Sequence, residues 1–185
     1  MESINVKIKK LDDRAVIPTY AHYGDVGMDF TCIDVEYDED KDLYIYHTGL
    51  AFESDFNYGQ FLFPRSSNRK TDAYLCNSVG IADSAIYRGE IMFCYKNRDS
   101  IKTVILNECL NKIIDCKDFY DFGKFMAKTT EDVMDKCRNL EYSPYKVGDK
   151  IGQMVFIKTP TVYLIECEEL SETERGANGF GSTGN

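Results

Sequence analysis

Apolar and polar residues alternate in short runs along most of the chain, the pattern of β-strands with one buried face. At the start of the sequence, Ile4, Val6 and Ile8 are separated by polar residues and predict a first strand. Later runs rich in aromatic and β-branched residues are bounded by turn residues, which predicts further strands. These runs cover residues 31–35, 43–52, 61–63, 91–95, 151–157 and 161–168. The pattern therefore favours a mostly β domain.

The hydrophobic pattern changes to a longer period between about residues 106 and 140. Phe119, Phe122 and Phe125 recur at a spacing of three, which indicates a helix. A second helix is predicted over residues 130–139, because a threonine begins this segment, acidic residues follow it and basic residues lie near its end. The charges of the second helix are more typical of a solvated face than of a binding surface.

The composition of the chain limits the classes of function that it can have. With 185 residues, 43% of them hydrophobic, the chain is long enough for one domain, 1–185, with its own core. The formal net charge of −9 argues against binding of polymeric nucleic acid, although a nucleotide requires only a local positive pocket. No apolar run approaches the length of about 20 residues that a membrane span needs.

Seven cysteines are spread along the chain, and no two have the two-residue gap of a metal knuckle or a redox pair. We interpret them as reduced thiols in a cytoplasmic compartment. The two histidines are too few for a histidine-rich metal site.

A single carboxylate, Asp83, lies in a run of small and apolar residues between Asn77 and Tyr87. An acid in such surroundings is typical of a hairpin rather than of a solvated charged surface. A carboxylate held in this way can act as a general base.

Arg65 follows a proline and precedes two serines. Its guanidinium offers a bidentate fork, and the hydroxyls supply short hydrogen bonds, so this segment can cradle a phosphate. The alternative is an ordinary polar turn after a strand.

For Asp29, which lies near two glycines, the alternative to a functional role is turn chemistry. On composition alone, the glycine-rich residues 175–184 are a flexible tail.

Taken together and in sequence order, these segments resemble the motifs of the trimeric dUTPases. The five matching stretches are residues 27–30, 64–67, 77–90, 148–154 and 175–184. The resemblance spans nearly the whole chain and leaves out only the region from about residue 98 to 145.

The resemblance implies hydrolysis of dUTP to dUMP and pyrophosphate by a Mg²⁺-dependent homotrimer whose active sites are shared between subunits. The implied fold is an all-β, jelly-roll-like barrel of the β-clip type, here with a helical insertion at about 98–145 between the third and fourth motifs. It also implies a mobile C-terminal lid over about 171–185. The implied location is the cytoplasm of a bacterium, or of the host cell if the protein is viral.

The third motif carries the family's base and sugar contacts. Asn77 and Gly80 match positions that read the uracil edge in a narrow slot, and Asp83 matches the carboxylate that contacts the 3'-hydroxyl and activates the water attacking the α-phosphorus. Tyr87 matches the residue that packs under the deoxyribose and excludes a 2'-hydroxyl. It lies four residues after Asp83, where the family usually has three, so either a bulge keeps Tyr87 in place or Ile86 takes its position.

The remaining motifs carry the implied phosphate and metal contacts. Arg65, Ser66 and Ser67 match the phosphate-binding segment, and Gln153 matches a glutamine that positions the phosphates and the water. Asp29 matches an acid that contacts Mg²⁺ through bound water. In the tail, the resemblance implies that Arg175 reaches the γ-phosphate, that Phe180 stacks on the uracil and that the residues after it contact phosphates. These last residues are Gly181, Ser182 and Thr183.

Two alternatives remain open at the level of sequence. A dCTP deaminase shares the fold and has a similar Arg-Ser-Ser stretch, but it lacks the glycine-rich tail with its stacking phenylalanine. A regulatory protein that binds a partner through a dUTPase scaffold is favoured by the insertion at about 98–145, whose other interpretation is added packing or cover at the trimer edge.

Overall fold

The computed structural model describes residues 3–83, 86–112 and 119–174, and these contain ten short strands and two α-helices. The strands are β1 Lys7–Lys10, β2 Met28–Thr31, β3 Asp34–Asp38, β4 Leu43–His47, β5 Leu50–Glu53, β6 Tyr58–Phe63, β7 Ala73–Leu75, β8 Gly80–Ala82, β9 Met92–Asn97 and β10 Lys150–Lys158. The helices are α1 Ile101–Lys112 and α2 Phe119–Arg138, and a 3₁₀ turn covers Ser66–Lys70.

The strands form three antiparallel sheets, which confirms the predicted mostly β class. A small sheet pairs β1 with β5, and two four-stranded sheets have the orders β2-β10-β6-β8 and β3-β4-β9-β7. None of the three closes into a barrel within the described part of the chain. In the first four-stranded sheet, Gln153 of β10 lies opposite Asp29 on one side and Phe63 on the other. This register brings three of the predicted motifs together.

The core between the sheets is rich in aromatic side chains. Phe30 is fully buried, and its ring centroid lies 5.6 Å from that of Phe52 and 5.8 Å from that of Phe93. Such tilted pairs contribute about 0.5–1.5 kcal/mol beyond their area burial. Gly152 of β10 allows this packing, because a Cβ at that position would lie 2.0 Å from the Phe93 ring.

Two predicted strands are each divided in the structure, and a third is absent from the described residues. The segment 31–35 is divided between β2 and β3, and the segment 43–52 between β4 and β5. The second break falls at Gly49, whose φ of 66° belongs to the left-handed region that favours glycine. The strand predicted at 161–168 is wrong: the described residues after Lys158 contain no strand, and Leu164 is 93% exposed. β-forming residues need a neighbouring strand and a buried face, and this segment has neither among the described residues.

The predicted helical region contains two helices, but their boundaries differ from the prediction. The first helix begins at Ile101, and the two segments predicted as separate helices are one continuous helix, α2. Thr130 does not cap a new helix, because its hydroxyl donates to the Met126 carbonyl oxygen one turn earlier at 2.8 Å. The end of α2 is closed at Leu140, which has a φ of 61° and donates its N–H to the Cys137 carbonyl oxygen.

Asp42 and Cys137 are two of the residues through which the helices contact the β-core. One Asp42 oxygen accepts a hydrogen bond from the Tyr37 hydroxyl at 2.9 Å, and the other accepts the N–H of Ile101 at the start of α1 at 3.0 Å. Cys137 of α2 is buried, and burial raises the pKa of its thiol. Neither described helix combines the length and the apolar character needed to cross a membrane.

Candidate active site

The first group of predicted site residues is a cluster around the Asp29 carboxylate. Arg65 donates two hydrogen bonds to it, from Nε to Oδ1 at 2.7 Å and from Nη2 to Oδ2 at 3.0 Å. Lys150 Nζ donates to Oδ2 at 3.2 Å. The pairing of β2 with β10 and of β10 with β6 makes this contact possible, since Arg65 lies two residues after the end of β6 and Lys150 begins β10. We call these three residues the Asp29 cluster.

The electrostatics of the Asp29 cluster favour the ionised carboxylate. The Asp29 side chain is only 14% exposed, and burial alone would raise its pKa. The hydrogen bonds from Arg65 and Lys150 outweigh burial, so the pKa of Asp29 lies below its ordinary value. Asp29 therefore remains ionised at neutral pH and holds the Arg65 guanidinium in a fixed orientation.

The residues next to the Asp29 cluster extend its polar surface. Arg65 Nη1 donates to Ser67 Oγ at 3.2 Å, while Ser66 is exposed at the start of the 3₁₀ turn. Gln153 Nε2 donates to the Pro64 carbonyl oxygen at 3.1 Å. Its side chain lies against Gly27, where an added Cβ would be 2.4 Å from Gln153 Oε1. Hydroxyl, amide and guanidinium donors therefore lie side by side, as an anionic ligand requires.

The second group lines a cavity of about 260 Å³ at the opposite edge of the same sheet. Strand β8 pairs with the end of β6, with Gly80 opposite Leu62, and the stretch from Asn77 to Tyr87 runs around the cavity. A Cβ at Gly80 would lie 3.0 Å from Leu62 Cβ and 3.2 Å from Asn77 Nδ2. The lining residues are Leu62, Asn77, Gly80, Ile81, Ala82, Asp83, Tyr87, Glu90, Ile91, Met92 and Cys94.

Tyr87 and Ile86, the two candidates for the sugar position, have different surroundings in the structure. Tyr87 is part of the cavity lining, whereas Ile86 is not part of it and is 77% exposed. Both backbone N–H groups donate to the Asp83 carbonyl oxygen, at 2.8 Å for Tyr87 and 3.1 Å for Ile86. These two hydrogen bonds define a turn that begins at Asp83, at the place where the sequence predicts a bulge at the hairpin tip. In a turn, the strict alternation of strand faces does not apply.

The two groups remain separate within one chain. The cavity lining includes Asp83 and Tyr87 but none of the residues of the Asp29 cluster. The predicted contacts from the C-terminal tail lie outside the described residues. These are Arg175, Phe180, Gly181, Ser182 and Thr183.

Sequence reasoning missed Lys150 as a member of the site. The signal that could have found it is its place three residues before Gln153 in the fourth matching stretch, since β10 runs beside β2. Lys150 pairs with Thr31 across these strands, and its side chain reaches Asp29.

The donor set around Asp29 does not suit a metal bound directly by the protein. The described residues contain no group of three or more histidine, cysteine or acidic side chains that could hold a metal ion. Both Asp29 oxygens already accept hydrogen bonds from cationic groups. A Mg²⁺ ion carried by substrate phosphates keeps several of its waters, so it would not need such a group of ligands from the protein.

Comparisons with known proteins agree with the features described above. No protein-family model matches the chain. Over 182 residues the chain is 31% identical to the deoxyuridine 5'-triphosphate nucleotidohydrolase of Trichodesmium erythraeum, covering 98% of this chain and 99% of that protein. The protein of the same name from Nautilia profundicola is also 31% identical over 182 residues, with 98% and 99% coverage.

Solved structures give the same result at the level of the fold. The Staphylococcus bacteriophage 80alpha dUTPase with dUPNHPP has a TM-score of 0.66 to this chain at 23% identity, covering 98% of this chain and 99% of that one. The sequence similarity extends over almost the full length of the relatives and includes the segments that form both groups of site residues. The chain belongs to the deoxyuridine 5'-triphosphate nucleotidohydrolase (dUTPase) family.

Proposed function

We propose that the protein hydrolyses dUTP to dUMP and pyrophosphate. The observation that carries the proposal is the cavity of about 260 Å³ in which Asn77, Gly80, Asp83 and Tyr87 meet, in a chain that belongs to the dUTPase family. A small cavity with a few convergent polar groups is typical of a site for a small ligand. The four residues occupy one edge of the sheet, where a nucleoside can lie with its phosphates extending outward.

Asp83 is the general base in this proposal. It is exposed at the rim of the cavity, where its carboxylate can reach both the 3'-hydroxyl of the sugar and a water molecule beside the α-phosphate. The carboxylate takes a proton from this water as the water attacks the α-phosphorus, and pyrophosphate leaves. No covalent intermediate on the protein is needed. Orientation of the water in line with the scissile bond supplies much of the rate enhancement.

Selection of the nucleoside is assigned to Asn77, Gly80 and Tyr87, which line the same cavity. The Asn77 amide and the backbone near Gly80 pair with the uracil edge, and a base with the wrong donors would leave these groups unpaired. The ring of Tyr87 packs under the deoxyribose and leaves no room for a 2'-hydroxyl. This proposal is supported by the position of Tyr87 in the cavity lining, from which Ile86 is absent.

Binding of the phosphates is assigned to Arg65, Ser66, Ser67 and Gln153. Asp29 holds the Arg65 guanidinium by two of its N–H groups, so its other N–H groups can point at phosphate oxygens without a search among side-chain conformations. A mutant dUTPase of S. aureus phage phi11, similar to this chain with a TM-score of 0.57 at 17% identity, is described with a structural Mg(II) ion. A Mg²⁺ ion on the substrate would offset triphosphate charge, with Asp29 contacting its hydration shell.

We further propose that the enzyme is a homotrimer with shared active sites. The separation of the Asp29 cluster from the cavity in one chain supports this, because a second chain can bring its own copy of one group to the other group. The segment after β10 also exposes apolar side chains that an association of subunits would cover. They are Val162, Tyr163, Leu164 and Ile165, with exposures between 69% and 93%. Equilibrium sedimentation of the full chain tests the trimer.

The C-terminal residues are proposed to close over the bound nucleotide as a lid. Truncation before Arg175 removes the predicted γ-phosphate and uracil contacts and is expected to leave a folded trimer with little activity, because all ten strands of the β-core precede Arg175. Steady-state turnover of the truncated protein measures the loss of activity, and its sedimentation shows whether it remains a trimer. Near-normal turnover would count against the lid.

One assay separates the proposed activity from its rivals. Pyrophosphate release is measured from dUTP, dCTP, dTTP and UTP in parallel, with and without Mg²⁺. We expect release from dUTP alone and only with Mg²⁺. Release of ammonia from dCTP would favour the deaminase instead, and absence of any reaction would favour a protein that uses the scaffold for binding.

A second role, docking of a protein partner through the helical insertion, is also proposed. The dUTPase of phage 80alpha is described as controlling the transfer of virulence genes. In this chain, Leu106 and Leu110 lie one turn apart on α1 and are each 53% exposed, and Tyr120 of α2 is 70% exposed. Replacement of both leucines by glutamate should abolish capture of a partner and leave dUTP hydrolysis unchanged. Equal capture by parent and variant would argue against docking at this surface.

A further inference from the structure

Glu90 joins the cavity to the turn between β4 and β5. One of its carboxylate oxygens accepts the backbone N–H groups of Thr48 at 3.0 Å and Gly49 at 2.7 Å. The other lies 3.0 Å from Nδ1 of His47. Three groups from consecutive residues therefore surround one carboxylate whose side chain is 23% exposed. Hydrogen bonds to an ionised group are about twice as strong as those between neutral groups.

The residue after Glu90 is fixed to the same turn. The Thr48 hydroxyl, which is fully buried, donates to the Ile91 carbonyl oxygen at 2.6 Å. The Ile91 N–H donates to the Leu50 carbonyl oxygen at 2.8 Å. The backbone at residues 90–91 is thus held at a defined position relative to the core, and Glu90 is the member of this attachment that lies nearest to Tyr87 in the sequence.

The Tyr87 ring rests on the backbone that Glu90 fixes. Its hydroxyl donates to the Glu90 carbonyl oxygen at 2.8 Å. The ring also lies against Gly89, where an added Cβ would be 2.4 Å from the Tyr87 hydroxyl oxygen and 2.6 Å from Cζ. Tyr87 itself is 42% exposed. The position of this ring in the cavity consequently depends on where the backbone of residues 89–90 lies.

We propose that Glu90 is a positioning residue that sets the selectivity of the enzyme for deoxyribose over ribose nucleotides. This inference rests on the proposed role of Tyr87 under the sugar. Exclusion of a 2'-hydroxyl by shape requires a ring that does not yield, because a displacement of about 1 Å would admit one oxygen atom. The carboxylate of Glu90 fixes the backbone, the backbone fixes the ring, and the ring excludes the hydroxyl.

The test is the selectivity ratio, kcat/KM for dUTP divided by kcat/KM for UTP, measured on the full-length protein. Glu90→Ala removes all three contacts of the carboxylate and is expected to lower the ratio at least about tenfold, mainly through a gain of activity on UTP. Glu90→Gln retains an oxygen that can accept the two backbone N–H groups and should restore part of the ratio. Melting temperatures of both variants are measured alongside.

Glu36→Gln is the matched control for a general effect of charge near His47. Glu36 lies 3.8 Å from Nε2 of the same imidazole, but its side chain is 61% exposed, whereas that of Glu90 is 23% exposed. We expect the parental ratio in this variant. A merely structural role of Glu90 would lower the melting temperature and leave the ratio of the remaining folded enzyme unchanged, which would overturn the proposal.

The outcomes separate this inference from the function on which it rests. If Tyr87→Ala loses selectivity while folded Glu90→Ala keeps the parental ratio, the positioning role is wrong and the role of Tyr87 stands. If Tyr87→Ala keeps the parental ratio, the proposed sugar contact fails and the inference fails with it. Should Glu90→Ala not fold, Tyr87→Phe decides, because it removes only the hydroxyl bond to Glu90: a lowered ratio supports the proposal, and an unchanged ratio overturns it.

Discussion

Two aspartates at opposite edges of one sheet are held in contrasting ways. Asp29 lies in β2, at one edge, with its carboxylate 14% exposed and both oxygens accepting hydrogen bonds from Arg65 and Lys150. Asp83 directly follows β8, at the other edge, and is exposed beside the cavity. The first carboxylate is engaged by the protein before any ligand binds. The second is accessible to water.

This difference follows from what each carboxylate has to do in the proposed reaction. A side chain that orients a guanidinium works best when its own position and charge are fixed. A general base must reach a water molecule and accept its proton, so permanent pairing with two cations would oppose its task. Substitution of Asp83 should therefore lower turnover with little effect on stability, whereas substitution of Asp29 should also lower stability.

Asp83→Asn is the substitution with the largest expected effect. Loss of the general base should slow turnover of dUTP at least about a hundredfold. Binding should persist, because the amide retains the shape of the side chain, and stability should stay within about 0.5 kcal/mol of the parent since the site is exposed. Pre-steady-state turnover, the dissociation constant of a non-hydrolysable dUTP analogue and urea unfolding measure the three quantities. Unchanged turnover would remove Asp83 from the role of base.

Asp29→Asn is expected to act on stability. Arg65 would keep its charge in a partly buried position without its anion, which should lower the free energy of unfolding by about 1–3 kcal/mol at neutral pH. Asp13→Asn, at an exposed position away from the cluster, is the control and should change it by less than about 0.5 kcal/mol. If Asp29→Asn and Asp13→Asn unfold at the same urea concentration, the Asp29 carboxylate does not stabilise the fold as expected here.

The pH dependence of the loss in unfolding free energy caused by Asp29→Asn gives a sharper test. Because the pKa of Asp29 is lowered in the folded state, the carboxylate stabilises the fold fully above the ordinary aspartate pKa of about 3.9. That contribution is lost as the pH falls through the lower, folded pKa. The gap in unfolding free energy between parent and Asp29→Asn should therefore be full at neutral pH and shrink in acid. A gap that is constant down to the acid transition would show that the ion pairs do not stabilise the protein.

Much of the fold could be predicted from the sequence, because many strands have a recognisable pattern of apolar, β-branched and aromatic residues. The compact runs within β6, β9 and β10 alternate or are rich in β-branched and aromatic residues, and all three are strands in the structure. The segment 161–168 carries the same signal and is exposed without a strand. The difference lies in the neighbours available within the chain, which local composition does not encode.

The predictions of the helices and of the site residues were limited by the same lack of information about tertiary contacts. Thr130 has the chemistry of a helix cap, but a threonine inside a helix can satisfy its hydroxyl one turn back, and this one does. The motifs identified the members of the site through their resemblance to a family. They could not reveal that Asp29 binds Arg65, 36 residues away, because that contact depends on the register of β2, β10 and β6.

Ile86→Ala is the substitution with the smallest expected effect. It tests which side chain lies under the sugar, given that one residue more than is usual in the family separates Asp83 from Tyr87. Strand alternation counted from Asp83 would place Ile86 under the sugar, but the turn closed by the Asp83 carbonyl oxygen leaves Ile86 77% exposed and brings Tyr87 to the cavity. Ile86→Ala should therefore change stability by less than about 0.5 kcal/mol and keep the parental dUTP over UTP selectivity. Tyr87→Ala, assayed beside it, should lose this selectivity. The reverse result would mean that Ile86 carries the sugar contact and that the turn rearranges when nucleotide binds.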